Sequence, residues 1–172
     1  HNLQHLQNLF TEMDRMDTVL EDAHVFQFSI WFHDLIYQPI RKDNELKSAE
    51  LARQYLGEIG LKSDRVERCY QQILLTQKHR FEHPNQVRPD EQYLLDFDLE
   101  ILSRPWEQYL IYCRQIREEY WMFPTLMYKR GRKMALTQFL QRPFIYHTDT
   151  FRENRETIAK TNLQREIDTL LT

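Results

Sequence analysis

The sequence predicts an all-α protein, a helical bundle of about seven or eight helices. Three glycines and six prolines in 172 residues provide few of the turns that many short strands would need. Apolar residues instead recur at helical spacing along most of the chain. In the first stretch, 1–13, Leu3, Leu6 and Leu9 follow this spacing and predict an opening helix.

The second predicted helix covers about 18–37 and is apolar on nearly every side towards its end, which is typical of a helix inside a core. Pro39 should end it, because proline disfavours helical backbone in the residue before it. Asp43 and Ser63 are candidate N-caps for the next two helices. The remaining apolar periods predict four more helices. Together with the two that Asp43 and Ser63 begin, the predicted helices after the second are 43–56, 63–79, 91–102, 106–123, 125–140 and 149–171.

The segment 80–90 contains two prolines and no apolar period, so we expect a loop that is long enough to form one wall of a site. Pro105 suits the first turn of the helix after it. Neither a repeat nor a linker is evident, and the length fits a single domain over 1–172. Since the chain begins at His1 and not at Met, we expect upstream residues to be missing.

Composition limits the classes of function. The net charge of −3 does not favour a partner of duplex nucleic acid. No apolar run approaches 18 residues and no signal peptide is evident, so we expect a cytoplasmic protein without a membrane partner. Cys69 and Cys113 lie in separate helical patterns, which favours free thiols over a disulfide.

The pair His33-Asp34 lies in an apolar helical stretch. Burying a carboxylate without a partner costs several kcal/mol, and the usual remedy is a salt bridge or a metal ion. No Lys or Arg occurs between Arg15 and Arg41, so no cationic neighbour on the same helix can neutralise Asp34. A satisfied pair in the core would also explain a lone His-Asp dipeptide. An imidazole beside a carboxylate nevertheless suits a divalent cation.

Further candidate ligands occur elsewhere in the chain. His1 and His5 are four residues apart and therefore share one face of the opening helix. Asp96 and Asp98 lie in an apolar stretch that offers them few polar partners, and His79 ends the fourth predicted helix.

The order His, then His-Asp, then a late Asp resembles the pattern that defines the HD superfamily. Other stretches are similar to a family of predicted metal-dependent HD phosphohydrolases, and the likeness covers nearly the whole chain. The stretches are HNLQH at 1–5, WFHDLIY at 31–37, DNELKSA at 43–49, TQKH at 76–79, LDFDLEIL at 95–102, IREEY at 116–120, YKRGR at 128–132 and FLQRPFIY at 139–146.

The resemblance implies an HD-type helical domain with a metal held by His1, His33, Asp34 and Asp98. His5 is the alternative to His1, and Asp96 is the alternative to Asp98. The family motif has an arginine three residues after its first histidine, whereas this chain has Gln4, which removes one phosphate contact.

The same resemblance suggests catalytic roles. Asp34 would orient the attacking water, and His79 would bind a second ion or protonate the leaving group. Glu45 would hold a ligand imidazole by its N–H. A favourable interaction with the end of its own helix explains His79 equally well, and for Glu45 this structural explanation is the preferred one. Arg117 and Arg132 would bind substrate phosphate or brace helices.

The predicted function is hydrolysis of a small phosphorylated substrate, a nucleotide or a phosphomonoester, by a metal-activated water. The cofactor is a divalent ion, with Mn, Zn, Ni, Fe and Mg all open. The alternatives are a nucleotide-binding sensor with a structural metal and a di-iron HD oxygenase. The expected partner is the phosphorylated molecule, and a homodimer remains open.

Overall fold

The computed structural model describes residues 3–16, 20–81 and 87–171. Within these ranges the protein is all-helical and contains no strand, which confirms the predicted class. A short 3₁₀ helix, Glu100–Ser103, follows the fifth α-helix. The α-helices of the described residues are α1 (Leu3–Met16), α2 (Ala23–Phe32), α3 (Asn44–Glu58), α4 (Ser63–Thr76), α5 (Pro89–Asp98), α6 (Trp106–Glu119), α7 (Thr125–Leu140) and α8 (Asp149–Leu171).

The helices form two compact units. The first, His1–Asp98, contains α1 to α5, and the second, Leu99–Thr172, contains the 3₁₀ helix and α6 to α8. The single domain expected over 1–172 stays a prediction. None of the described helices is long and apolar enough to cross a membrane.

The core of the first unit lies among α2, α3 and α4. Its side chains come from one face of each helix and exclude water from the centre of the unit, which is the main stabilising contribution to such a packing. A ring contact between Phe26 and Phe97, with centroids 5.5 Å apart, attaches α5 to α2. The buried core residues are Val25, Ala49, Ala52, Leu56, Val66, Cys69 and Ile73.

The start of α2 is fixed by charged side chains. Asp22 caps α2 by accepting a hydrogen bond from the Val25 N–H at 3.1 Å, and it pairs with Arg65 of α4 at 2.7 Å. The Asp90 carboxylate in the first turn of α5 accepts the N–H groups of Glu21 and Asp22 at 2.8 and 3.0 Å. The segment before α2 is therefore held by α4 and α5 together.

Several helix ends differ from the sequence-based expectations. The second helix ends at Phe32 and not at residue 37, and α4 ends at Thr76, so His79 lies in the turn beyond it. The stretch predicted as one helix over 91–102 divides into α5 and the 3₁₀ helix. Pro89 occupies the first turn of α5, where its missing N–H is harmless, so the helix begins inside the predicted loop.

Two buried polar side chains of α8, Glu166 and Asn162, connect the helices of the second unit. Glu166 of α8 accepts hydrogen bonds from the Arg132 guanidinium at 2.7 and 3.1 Å and from the Tyr109 hydroxyl. Asn162, also on α8, donates to the carbonyls of Leu102 and Arg104, both at 2.9 Å. These contacts join α6, α7, α8 and the 3₁₀ helix.

Candidate metal centre

Four candidate ligand side chains meet in the first unit. His5 comes from α1, His33 and Asp34 follow the last residue of α2, and Asp98 is the last residue of α5. One donor atom from each of the four lies within 4.8 Å of all the others. Side chains separated by up to 93 positions in the chain therefore converge on one point.

His33 is the most deeply buried residue of this cluster, with 1% of its surface exposed. Its Nδ1 lies 2.8 Å from the Ile30 carbonyl, so the natural arrangement is an Nδ1–H that donates to this oxygen. Nε2 then carries a lone pair towards the cluster. A backbone carbonyl that fixes the tautomer and the ring orientation is a common support for a metal-ligating histidine.

Asp98 has imidazole nitrogens near both of its oxygens. Oδ1 lies 3.1 Å from His5 Nε2 and 3.6 Å from His33 Nε2, while Oδ2 lies 2.7 Å from His79 Nε2. Burial disfavours the charged carboxylate. Hydrogen bonds from His33, His5 and His79 outweigh this effect of burial and hold the pKa of Asp98 well below its usual value. Asp98 is therefore an anion in the folded protein.

The charge on His33 depends on the same carboxylates. Burial disfavours its imidazolium, but hydrogen bonds and close approach to Asp34 and Asp98 outweigh this effect and hold the pKa of His33 well above its usual value. The cluster therefore attracts positive charge. In metal sites the ligating imidazole is neutral, and the ion takes over the role of the proton.

Three of the spacings between the donor atoms fit a single cation. Atoms bound about 2.1 Å from a common ion lie roughly 3.0–3.4 Å apart in octahedral to tetrahedral geometry. The Nε2 atoms of His5 and His33 are 3.3 Å apart, His33 Nε2 is 3.3 Å from Asp34 Oδ2, and His5 Nε2 is 3.1 Å from Asp98 Oδ1. Two imidazoles and two carboxylates also form a donor set with the charge that a divalent ion balances.

The turn that carries His33 and Asp34 is held by the start of α3. The Ser48 hydroxyl accepts the Ile36 N–H at 3.0 Å, and the Asn44 side chain bonds to both backbone groups of Gln38. Asn44 and Ser48 are buried. The DNELKSA stretch thus positions the turn that carries His33 and Asp34, a role that sequence reasoning missed because the burial of Asn44 and Ser48 is seen only in the fold.

His79 has an unusual backbone. It follows the C-terminal end of α4 with φ of 46°, in the left-handed region that non-glycine residues rarely occupy. Its N–H bonds to the Leu75 carbonyl at 3.1 Å, and its side chain points to Asp98. The structure therefore places His79 beside the cluster, as the sequence-based role requires.

Other predicted site residues have different positions. His1 lies outside the described residues, and His5, the alternative to it, is the histidine that joins the cluster. Asp96 is fully buried on α5 but is not one of the four, whereas Asp98 is. Glu45 is half-buried in the first turn of α3 and is also outside the group of four.

The two arginines belong to the second unit, and their donors have protein partners there. Arg117 donates to the carbonyls of Tyr120 and Phe123 at 2.8 and 3.1 Å, beyond the end of α6. Arg132 forms the bidentate pair with Glu166. These contacts brace helices, one of the two roles expected from the sequence, and binding of substrate phosphate stays a prediction.

Comparison of the chain with family models, curated proteins and solved structures gives no match. The resemblance to the HD superfamily therefore depends on the motifs of this chain, and the candidate site depends on the convergence of its side chains.

Proposed function

We propose that this protein is a metal-dependent phosphohydrolase of the HD type, acting on a small phosphorylated substrate such as a nucleotide or a phosphomonoester. The observation that carries the proposal is the convergence of His5, His33, Asp34 and Asp98, whose donor atoms lie within 4.8 Å of one another. A buried His-Asp pair of purely structural role would not need two further ligands from distant helices.

A divalent ion at this position supplies Lewis acidity, which lowers the pKa of a coordinated water to near 7 and offsets charge on phosphoryl oxygens. The protein supplies orientation and proton transfer. His33 is buried, while His5, Asp34 and His79 are partly exposed, so substrate reaches the cluster from their side. Asp34 is suited to accept a proton from the attacking water, and His79 to donate one to the leaving group.

The donor set leaves the metal open. Imidazole suits Zn, Fe and Ni, carboxylate suits Mg and Mn, and the cluster combines both kinds of ligand. Glu45 as a support for a ligand imidazole, Arg117 and Arg132 as phosphate contacts, a cytoplasmic location and a homodimer are sequence-based predictions that accompany the proposal.

The first experiment combines metal analysis of the purified protein with a panel of phosphate esters and nucleotides, assayed with each of the five metals and with a chelator. We expect bound metal and turnover that the chelator abolishes. Asp34→Ala should lose both metal and activity and keep the helical circular dichroism signal. Asp14→Ala is the matched control, since Asp14 is an exposed carboxylate on α1.

Each alternative function predicts a different outcome. Tight nucleotide binding with bound metal and no turnover indicates the sensor. Bound iron with an absorption spectrum that changes in air indicates the di-iron oxygenase. A protein that binds none of the five metals, or an Asp34→Ala variant that is fully active, overturns the proposal.

A further inference from the structure

The second unit contains a long stretch without negative charge. Between Tyr120 and Thr148 the sequence has five Lys or Arg residues and no Asp or Glu. All of α7 and the connections at both of its ends lie in this stretch. Although the net charge of the whole chain is −3, this segment is strongly cationic.

One face of α7 combines these charges with exposed apolar side chains. At 100° per residue, Leu126, Met127, Arg130, Lys133 and Met134 occupy an arc of about 120°, and we call these five residues the α7 face. Leu126 is 71% exposed and Met134 is 65% exposed. Among the described residues, Arg130 and Lys133 have no acidic partner.

Two neighbouring features extend the apolar character. Trp121, in the connection that leads into α7, is 75% exposed. A cavity of about 320 Å³ lies between α6 and α7, and its lining includes Tyr120, Phe123, Met127 and Gly131. The apolar surface thus includes protruding side chains and a recess beside them.

The charges on the α7 face indicate which kind of partner binds there. A twofold dimer would place the α7 face against itself and bring like charges together. On this arc Arg130 lies between Leu126 and Met134, and Lys133 lies at the edge next to Leu126, so both basic side chains adjoin apolar ones. A nucleic acid would match the charge but not the exposed aliphatic side chains of Leu126 and Met134.

We propose that the α7 face docks on the surface of a membrane that contains anionic lipids. Leu126, Met127 and Met134 enter the boundary between headgroups and acyl chains, with Trp121 beside them, and Arg130 and Lys133 bind the anionic headgroups. Apolar side chains that enter the acyl boundary and basic side chains that bind anionic headgroups both strengthen binding to such a surface. This proposal departs from the sequence-based expectation of no membrane partner, which was drawn from the lack of a spanning segment, because a helix that lies on the surface needs no such segment.

Co-sedimentation with lipid vesicles tests the proposal. The protein should sediment with phosphatidylcholine vesicles that contain about a third phosphatidylserine, should dissociate as salt is raised, and should not sediment with phosphatidylcholine alone. The double variants Leu126→Ser/Met134→Ser and Arg130→Glu/Lys133→Glu should each bind roughly tenfold more weakly or worse. The emission of Trp121, measured in a Trp31→Phe/Trp106→Phe background, should shift to the blue with the anionic vesicles.

Matched controls come from the first unit. Lys42→Glu/Lys62→Glu changes the same charge at exposed lysines, and Ile40→Ser/Ile59→Ser removes two exposed apolar side chains. Both should bind vesicles like the unchanged protein. Circular dichroism checks that every variant is folded.

Four results overturn the proposal. One is failure to sediment with the anionic vesicles, and another is equal weakening in the control variants. A third is binding to soluble polyglutamate or to an oligonucleotide but not to vesicles, which assigns the face to an acidic protein segment or to nucleic acid. The last is a lipid-independent dimer that Leu126→Ser/Met134→Ser dissociates, without vesicle binding.

Discussion

The side-chain amide of Asn44 forms a ring of two hydrogen bonds with the backbone of Gln38. The Gln38 N–H donates to Asn44 Oδ1 at 3.1 Å, and Asn44 Nδ2 donates to the Gln38 carbonyl at 2.9 Å. This ring, together with the bond from the Ile36 N–H to Ser48, holds the segment that leaves α2 directly after His33 and Asp34. The geometry of the candidate ligands His33 and Asp34 therefore depends on two residues of α3 that lie outside the cluster.

We expect Asn44→Ala to weaken metal binding by about 10- to 100-fold, because the turn that carries His33 and Asp34 loses its support. The variant should also lose about 1–2 kcal/mol of stability through the two broken hydrogen bonds. Asn162→Ala is the control, since Asn162 is a buried asparagine that holds two backbone carbonyls of the second unit. Titration calorimetry with metal, compared with urea unfolding, should separate the two variants. An equal loss of metal affinity in both would contradict the positioning role of Asn44.

His5→Gln should abolish metal binding, because His5 Nε2 lies within 3.3 Å of both His33 and Asp98. His24→Gln, on α2, should bind metal normally. His1→Gln tests the alternative that the sequence favoured. If His1→Gln lost the metal and His5→Gln retained it, the ligand set proposed here would be wrong. Metal content after dialysis, measured by atomic emission, is a sufficient readout.

His79→Gly should leave the free energy of unfolding within about 1 kcal/mol of its original value, because glycine relieves the left-handed backbone while the bond to Asp98 is lost. Activity should fall at least about 100-fold, in line with the loss of a proton donor. Unfolding by urea and steady-state kinetics measure the two effects. A variant that is both stable and fully active would remove His79 from the mechanism.

Asp22 should make stability depend on pH in the acid range. A hydrogen bond from Arg65 holds the pKa of Asp22 below its ordinary value of 3.8. A carboxylate with a lowered folded pKa contributes stability that is fully present above its unfolded pKa and is lost as the pH falls through the folded value. Asp22→Asn keeps a good N-cap but removes the charge, so it should cost about 1 kcal/mol near neutral pH and almost nothing at the acid end.

Thermal unfolding from about pH 2 to pH 7 checks this expectation. Asp43→Asn is the matched control, because the pKa of Asp43 is also lowered by a neighbouring arginine, Arg41, but this carboxylate is more exposed, with 42% of its side-chain surface open against 15% for Asp22. Its stability profile should follow that of the unchanged protein. A constant difference between Asp22→Asn and the unchanged protein across this pH range would show that the ion pair with Arg65 contributes nothing.

The sequence by itself determined the helical class, the bounds of α7 and α8, and the pair His33-Asp34 as the candidate centre. These features depend on neighbours within about four positions, since apolar periodicity, helix-starting residues and scarce glycine all act locally. The tertiary structure decided the rest. In the folded protein α2 ends at Phe32, and Asn44 and Ser48 form hydrogen bonds with the backbone of the turn that follows. His5 lies beside Asp98. Such contacts join residues far apart in the chain, and their distances depend on how the helices pack, which no spacing in the sequence specifies.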